Sequence, residues 1–546
     1  MKLNLIRGYD GLNINEIKKL FKIEVETEDI REVYFYLKRY FYINYKIGTK
    51  EKIINITYSS GKAEIWVTYT YFKISKYILE SFEVHEVIDN IIANSKNILE
   101  NCWQSRVIIE TERKHIPFII IDEDILQLGY GKNSIRVRED NYASINMEKA
   151  ANIPIISITG TNGKTTTARI IYHILNKLGY ITGLASTGGI FINNENIKQG
   201  DTTGYISARE ILKSEEVEIA VLETARGGII KRGLGYDEAK VAIITSLSED
   251  HIGMGGINDL DELARVKALT TKVLGHDGVI IMKGEERLLK YIDKSKELYL
   301  FDIEKSHVLT QHFSKKGKGF YLEEEHIRYF NGYYEQDLIN IRNISFTHGG
   351  ISYSNIKNLM AALGATMQIH KNVEDIINAV KELKCDLATN PGRQNILDIK
   401  DFKVILDYGH NSEAFYEVFE IAKKLEPSRI TAIISAAGDR KDLYIKELGE
   451  ISAKYSDYVI IREHEDLRGR VPGEAASIIR KGVEEGRYDM ERCITIYKEQ
   501  DALRYAMKKA IKDEVIVLFT QCLNVVIPVI NEYLKSIGER TFRHPY

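Results

Sequence analysis

Residues 153–180 read IPIISITGTNGKTTTARIIYHILNKLGY. The opening IPIISIT is a short, continuous apolar run, the pattern of a strand buried on both faces. The closing ARIIYHILNKLGY is amphipathic at helical spacing and stops at Gly179. Between them lies Thr159-Gly160-Thr161-Asn162-Gly163-Lys164-Thr165-Thr166. A loop between a buried strand and a helix aims successive backbone N–H groups, and the positive end of the helix, at an anion. Glycine lets the backbone approach phosphate closely, the Lys164 ammonium can reach the outer oxygens, and the Thr165 hydroxyl can ligate Mg²⁺. The general P-loop pattern asks for glycine six residues before the lysine; Ile158 stands there, so this is a shortened variant.

The same theme extends outward. EIAVLET (218–224), KVAIITS (240–246) and GVIIMK (278–283) alternate with helical stretches, which implies a parallel sheet covered on both faces. A second alternation runs through KVILDY (403–408), RITAIISA (429–436), YVIIRE (458–463) and EVIVLFT (514–520). Thr389-Asn390-Pro391-Gly392 interrupts the pattern between them. Upstream, KIINITY (52–58) and AEIWVTYT (63–70) read as two strands around a Ser59-Ser60-Gly61-Lys62 turn, followed by a helix over 72–100. The expected organisation is a small α+β domain (1–105), a connecting segment that packs with it (106–150), a central P-loop ATPase-like parallel-sheet domain (151–388) and a C-terminal Rossmann-like α/β domain (389–546).

Composition agrees with a globular chain of several domains: 546 residues, 44% hydrophobic and 28% charged. A net charge of −3 gives no global pull toward nucleic acid or anionic membrane. There is no signal-peptide pattern at the N-terminus and no apolar run long enough to span a membrane. The four cysteines show no disulfide or metal spacing. A cytoplasmic location with reduced thiols is therefore expected.

Polar residues gather where apolar strands end, the side on which ligands bind in such sheets. Glu223 ends the 218–224 run, where a carboxylate can complete Mg²⁺ coordination; read alone it also suits an ordinary ion pair. His251 can be a metal ligand or a structural imidazole. Lys267, on a helical stretch, reads by itself as a solvated side chain, and Asn355 and Asn358 as a cap and a surface residue. Arg393, the Asp407–Asn411 segment, Ala437–Asp442 and Asp466–Arg470 are charged loops.

Taken in order, these residues resemble the Mur ligase superfamily, over about 153–530. The specific evidence is GDTTGYISAR (200–209), VLETARGGIIKRGLGYDEA (221–239), EDHIGMGGINDLDELARVKAL (249–269) and EDLRGRVPGEAA (465–476), which look most like the ligase half of the cyanophycin synthetase family. FIIIDEDILQLGYGKNSIRV (118–137) resembles the segment that opens the ATP-grasp module of that family. Here the P-loop follows almost directly, so the ATP-grasp module is missing between them. Peptide ligases of pseudomurein-building archaea belong to the same superfamily.

The resemblance implies an ATP-dependent amide ligase working through an acyl-phosphate. Gly160, Thr161, Asn162, Gly163, Lys164, Thr165 and Thr166 would bind the triphosphate, with Asn355 and Asn358 near the adenine and Arg393 and Asp407 completing the nucleotide site. Thr165, Glu223, His251 and a carbamoylated Lys267 would hold two Mg²⁺ ions; Lys164, Glu223, His251 and Lys267 form the expected catalytic group. His410, Asn411, Asp466, Arg468 and Glu474 would receive the amino acid, expected to be lysine or arginine, and Thr202, Thr203 and Arg226 the acceptor. Asp407-Tyr408-Gly409-His410-Asn411-Ser412 departs from the family's Asp-Tyr-Ala-His-Asn-Pro at Gly409 and Ser412. The expected partners are an amino acid and a peptide or nucleotide-linked peptide acceptor, without nucleic acid, in a monomer or homo-oligomer. A reading of another class, a P-loop regulatory or scaffold protein, does not need Glu223, His251, Lys267 and Asp407 together.

Overall fold

The computed structural model describes the whole chain except Met1, Ile17, Lys18, His85, Asp250, His251, Met254, Gly255 and His544, Pro545 and Tyr546. The fold is α/β throughout its larger part. Strand Ile155–Thr159 lies inside an eleven-stranded sheet, flanked by Ile219–Glu223 and Ala239–Ile244, and all three are parallel. Every residue of Ile155–Thr159 and Ile219–Glu223 is buried, which is why both read as unbroken apolar runs. Outside these lie Thr182–Ser186 on one side and Leu274–Lys283, Glu297–Phe301 and Lys318–Glu323 on the other, also parallel. Each border continues as antiparallel strands: Gly189–Ile192 and Glu195–Gln199 at one, His326–Phe330 and Glu335–Asn340 at the other. Separate apolar cores cover the two faces. Helices Lys164–Lys177 and Tyr353–Ile369 pack together on one of them.

A second sheet has six strands in the order Asn395–Ile399, Phe402–Asp407, Glu514–Phe519, Arg429–Ile434, Tyr458–Ile461, Cys493–Thr495. All pair in parallel except the first two, which form a hairpin. At its centre Phe415 stacks on Phe519, with ring centroids 3.7 Å apart.

The N-terminal part is a four-stranded antiparallel sheet in the order Lys2–Tyr9, Leu20–Glu26, Lys62–Thr68, Ile53–Ser59, backed by helices. The two expected strands are its third and fourth. Helix Ile30–Ile47 starts on the Asp29 cap and ends at Gly48 in the left-handed conformation. The helix expected over 72–100 is two, Phe72–Ser81 and Ile88–Asn101, because Phe82 turns inward and packs edge-on against Tyr36 at 4.9 Å. Helix Trp103–Arg113 runs across position 105, and the small sheet of Phe118–Ile120, Leu126–Leu128 and Ile135–Val137 shares the core of the N-terminal sheet. Among the described residues no helix is long and apolar enough to cross a membrane.

Replacing Phe415 by alanine empties a fully buried position stacked on a neighbour, so about 3–5 kcal/mol of stability should be lost. Urea unfolding of the intact chain measures this; a loss below about 1 kcal/mol would contradict the packing described.

Candidate active site

Two glycines shape the loop after Ile155–Thr159. Gly160 has φ 151°, and a Cβ there would lie 1.9 Å from Thr245 Oγ1. Gly163 caps helix Lys164–Lys177 with φ 85°, and its Cβ would lie 2.3 Å from Asn358 Oδ1. No other residue fits either place without strain. The neighbouring strand end holds the loop in return. Thr161 N donates to Ser246 O (3.1 Å), Asn162 N donates to Ser246 Oγ (2.8 Å), and Thr245 Oγ1 donates to Asn162 O (2.5 Å).

This loop is one wall of a cleft of about 340 Å³ between the two large sheets. Loop residues 160–166, Glu223, Lys267, Asn355 and Asn358 line it from one side; Arg393, Asp407 and His410 line it from the linker and second sheet. Thr203 and Arg226 are also on its wall. Thr202 is not: its hydroxyl donates to Ser186 O at 2.7 Å within the buried structure.

The Thr165 hydroxyl meets both carboxylate oxygens of Glu223, at 3.0 and 3.1 Å. Thr187 binds the same carboxylate through its N–H (2.9 Å) and its hydroxyl (3.0 Å). Lys164 Nζ donates to Thr161 O at 2.8 Å; burial pushes its ammonium down, and Glu223 partly restores it. Lys267 is 3% exposed on helix Leu260–Ala268. Burial drives its ammonium far below the ordinary range, and the charges acting on it, Lys164 and Arg226, add repulsion. This is not the solvated side chain that its helical setting suggests.

Asn355 is buried, its amide donating to Phe346 O (3.1 Å) and to Cys385 Sγ (3.6 Å). Asn358 Oδ1 accepts from Thr167 (3.3 Å). The Arg393 guanidinium sits 4.1 Å over the Tyr408 ring. Asn411 is the cap of helix Ser412–Lys424 and exchanges amide hydrogen bonds with Asn162 at 3.0 and 3.3 Å. Asp466, Arg468 and Glu474 lie outside the cleft lining. Arg468 pairs with Asp439 (3.0 Å), and Glu474 accepts from Arg470 (2.6 Å). Burial first, then Arg468 and Arg226, lowers Arg440 to about 10. His251 lies outside the described residues, among which no cluster of three or more His, Cys, Asp and Glu side chains could hold a metal.

Sequence reasoning missed Thr187 and Glu413, and took in Ser246 and Arg440 only within longer polar segments, without a role of their own. Glu413 is two residues past Asn411 and accepts from both Asn162 and Ser248 at 2.8 Å. Ser246 lies at the end of a strand already singled out; Thr187 carried no sequence signal.

The families and folds that share this geometry are known. Residues 158–366 match the Mur ligase middle domain, and residues 392–522 match the Mur ligase, glutamate ligase domain. The chain is 33% identical over 389 residues to the cyanophycin synthetase of Crocosphaera subtropica, covering 70% of this chain and 44% of that one. It therefore spans less than half the length of that curated relative. It is 25% identical over 419 residues to a UDP-N-acetylmuramoyl-L-alanyl-D-glutamate–2,6-diaminopimelate ligase of Clostridium botulinum, covering 73% of this chain and 81% of that one. A pseudomurein peptide ligase type C from Methanothermus fervidus shares the fold, with TM-score 0.50 and 17% identity over 71% of this chain and 82% of that one. So does a folylpolyglutamate/dihydrofolate synthase from Yersinia pestis, solved with AMPPNP and Mn, with TM-score 0.51 and 18% identity over 70% and 89%.

Two cleft groups titrate in opposite senses. Burial raises Asp407 to about 6 against the pull of Arg393, and burial lowers His410 to about 4. Between the ordinary carboxyl range and about 6 the folded chain keeps a proton on Asp407 that the unfolded chain has lost, so this group makes stability fall as pH rises. From about 6.5 down to about 4 the unfolded chain protonates His410 and the folded chain does not, so this group makes stability rise with pH. Other groups, His173 among them, titrate in the same window, so the measure is the change in slope of urea-derived stability from pH 4 to 7: His410→Gln should make it less positive than in the parent chain by about 2–3 kcal/mol over the range, and Asp407→Asn more positive by a similar amount; changes of the other sign would refute the assignment.

Both matched modules follow one another in family order across the residues that build this cleft, and the chain belongs to the Mur ligase superfamily.

Proposed function

We propose that this chain is an ATP-dependent carboxylate–amine ligase that joins a basic amino acid to a carboxylate of a peptide acceptor through an acyl-phosphate. The observation that carries this reading is the single cleft in which the P-loop, Glu223, Lys267, Arg393, Asp407 and His410 meet. Loop N–H groups and Lys164 are arranged to neutralise a triphosphate. The acceptor carboxylate attacks the γ-phosphorus, ADP leaves, and an amine then displaces phosphate from the acyl carbon. Arg226, on the cleft wall, and Arg440 and Arg468 across from it suit the carboxylates of acceptor and amino acid.

Thr165 and Glu223 offer hard oxygen donors in contact with each other, a set that fits Mg²⁺. Bound there, Mg²⁺ would offset phosphate charge. Lys267 suits carbamoylation: a buried amine repelled by two cations is held neutral, the form that adds CO₂, and the resulting carbamate is an anionic oxygen ligand.

An adjoining recess of about 420 Å³ opens beside His410, with Glu249, Glu413, Glu417 and Glu447 on its walls against Arg440. That balance favours a cationic side chain. It offers a different place for it than the loop 463–466, where Glu463 is already used by Gly473 N at 2.8 Å. For the acceptor, the names of the relatives support a UDP-linked cell-wall peptide, as in pseudomurein, with a cyanophycin-like isopeptide as the alternative.

ADP release should require both a carboxylate acceptor and an amine, with lysine, arginine or ornithine the best amines in a panel, and Lys164→Ala should lower it by about 10²-fold or more. Turnover with alanine or glutamate alone would refute the basic specificity, and turnover without any amine would refute the ligase reading. For Lys267, mass spectrometry in bicarbonate should find added CO₂, and acetate should partly restore a Lys267→Ala variant. An unmodified lysine together with an active variant would remove the carbamate from the account.

A further inference from the structure

A second cavity is larger than the cleft. About 710 Å³ of space lies between the N-terminal sheet, the small sheet that follows it and helix Tyr205–Lys213 of the central unit. Its volume is that of a small-molecule site. Arg209, 9% exposed, lines it; one guanidinium nitrogen donates to Phe118 O at 2.7 Å, while its buried Nε has no hydrogen-bond partner among the described residues. That Nε is shut away from the cavity, but the remaining guanidinium nitrogen, Nη2, makes no hydrogen bond among the described residues and is the donor left for a ligand acceptor.

Facing this fork is Asp10, an exposed carboxylate held by the hydroxyls of Tyr69 and of Tyr205 (2.9 Å). Asp10 is close enough to Arg209 to stabilise its charge, yet no ion pair joins them among the described residues. A carboxylate accepts more than two hydrogen bonds, so Asp10 retains capacity. Phe72, Tyr71, Ile116 and Phe118 supply apolar wall. A cationic fork and a carboxylate on the wall of one chamber, not paired with each other, match a guest that carries both charges.

We propose that this cavity binds the zwitterionic backbone of an amino acid or short peptide, its carboxylate on Arg209 and its ammonium on Asp10. Residues 201–209 tie the chamber to the cleft, since Asp201 and Thr203 line one and Tyr205 and Arg209 the other. The same chemistry can come from the tail of the acceptor or from a free amino acid acting as an effector.

Calorimetry on the full chain with trialanine tests this without turnover, so its failure and that of the ligase reading are separable. Saturable binding is expected, weakened about tenfold or more when the peptide is N-acetylated or C-amidated, and likewise in Asp10→Asn and Arg209→Lys. In the assay, trialanine raising the KM for the acceptor identifies the acceptor tail; a change in kcat alone identifies an effector. No saturable binding of trialanine, or binding indifferent to both peptide blocks and to Asp10→Asn, overturns the proposal. The peptide blocks and the exposed Asp10 keep the test valid even if Arg209→Lys fails to fold.

Discussion

Asn162 and Asn411 stand 249 positions apart and exchange amide hydrogen bonds in both directions. One belongs to the glycine loop after Ile155–Thr159, the other caps the first helix after the hairpin of the second sheet. Glu413 and Ser248 close the same contact. Both amides are half-buried, so separating the sheets would exchange these contacts for water, and each is worth about 0.5–1.5 kcal/mol net. The cleft, and the meeting of Arg393 and Asp407 with the loop, follow from this closure.

Inside the cleft, electrostatics is set by burial more than by pairing. Lys164 and Lys267 are both pushed down, Asp407 up and His410 down, each chiefly through loss of water. In each case the charged form is disfavoured, a pattern typical of reactive sites. The linker adds an inert element: the Cys385 thiol, held between the Asn355 and Asn390 amides and Arg393 O, is raised to about 12 by burial.

The loop was legible in the sequence because it is one contiguous stretch shaped by two glycines whose neighbours leave no room for a side chain. Glu223, Asp407 and His410 were legible as polar residues at the ends of apolar strands. The border strands Thr182–Gln199 and Glu297–Asn340 were not, since strands such as Glu195–Gln199 are wholly exposed and lack apolar alternation. Lys267 shows the limit from the other side. Its helical spacing suggests a solvated face, and only the surrounding fold buries it; the family resemblance, not the spacing, singled it out. The partners of the loop, Thr187 and Glu413, come from tertiary approach that no local pattern records.

The strand order also governs when this loop can exist. Ile155–Thr159 has both edges covered by strands that follow it, Ile219–Glu223 and Ala239–Ile244. During synthesis one edge has its partner only past residue 223 and the other only past residue 244, whereas the N-terminal sheet has all its strands by Thr68. Long-range pairing must also overcome loop-closure entropy before it yields contacts. The nascent chain thus carries a finished N-terminal sheet beside a largely apolar strand with at least one edge unpaired for the time needed to make roughly 85 more residues, about 4–17 s at ordinary elongation rates. That interval, rather than the finished protein, is where the chain is most exposed to misassembly.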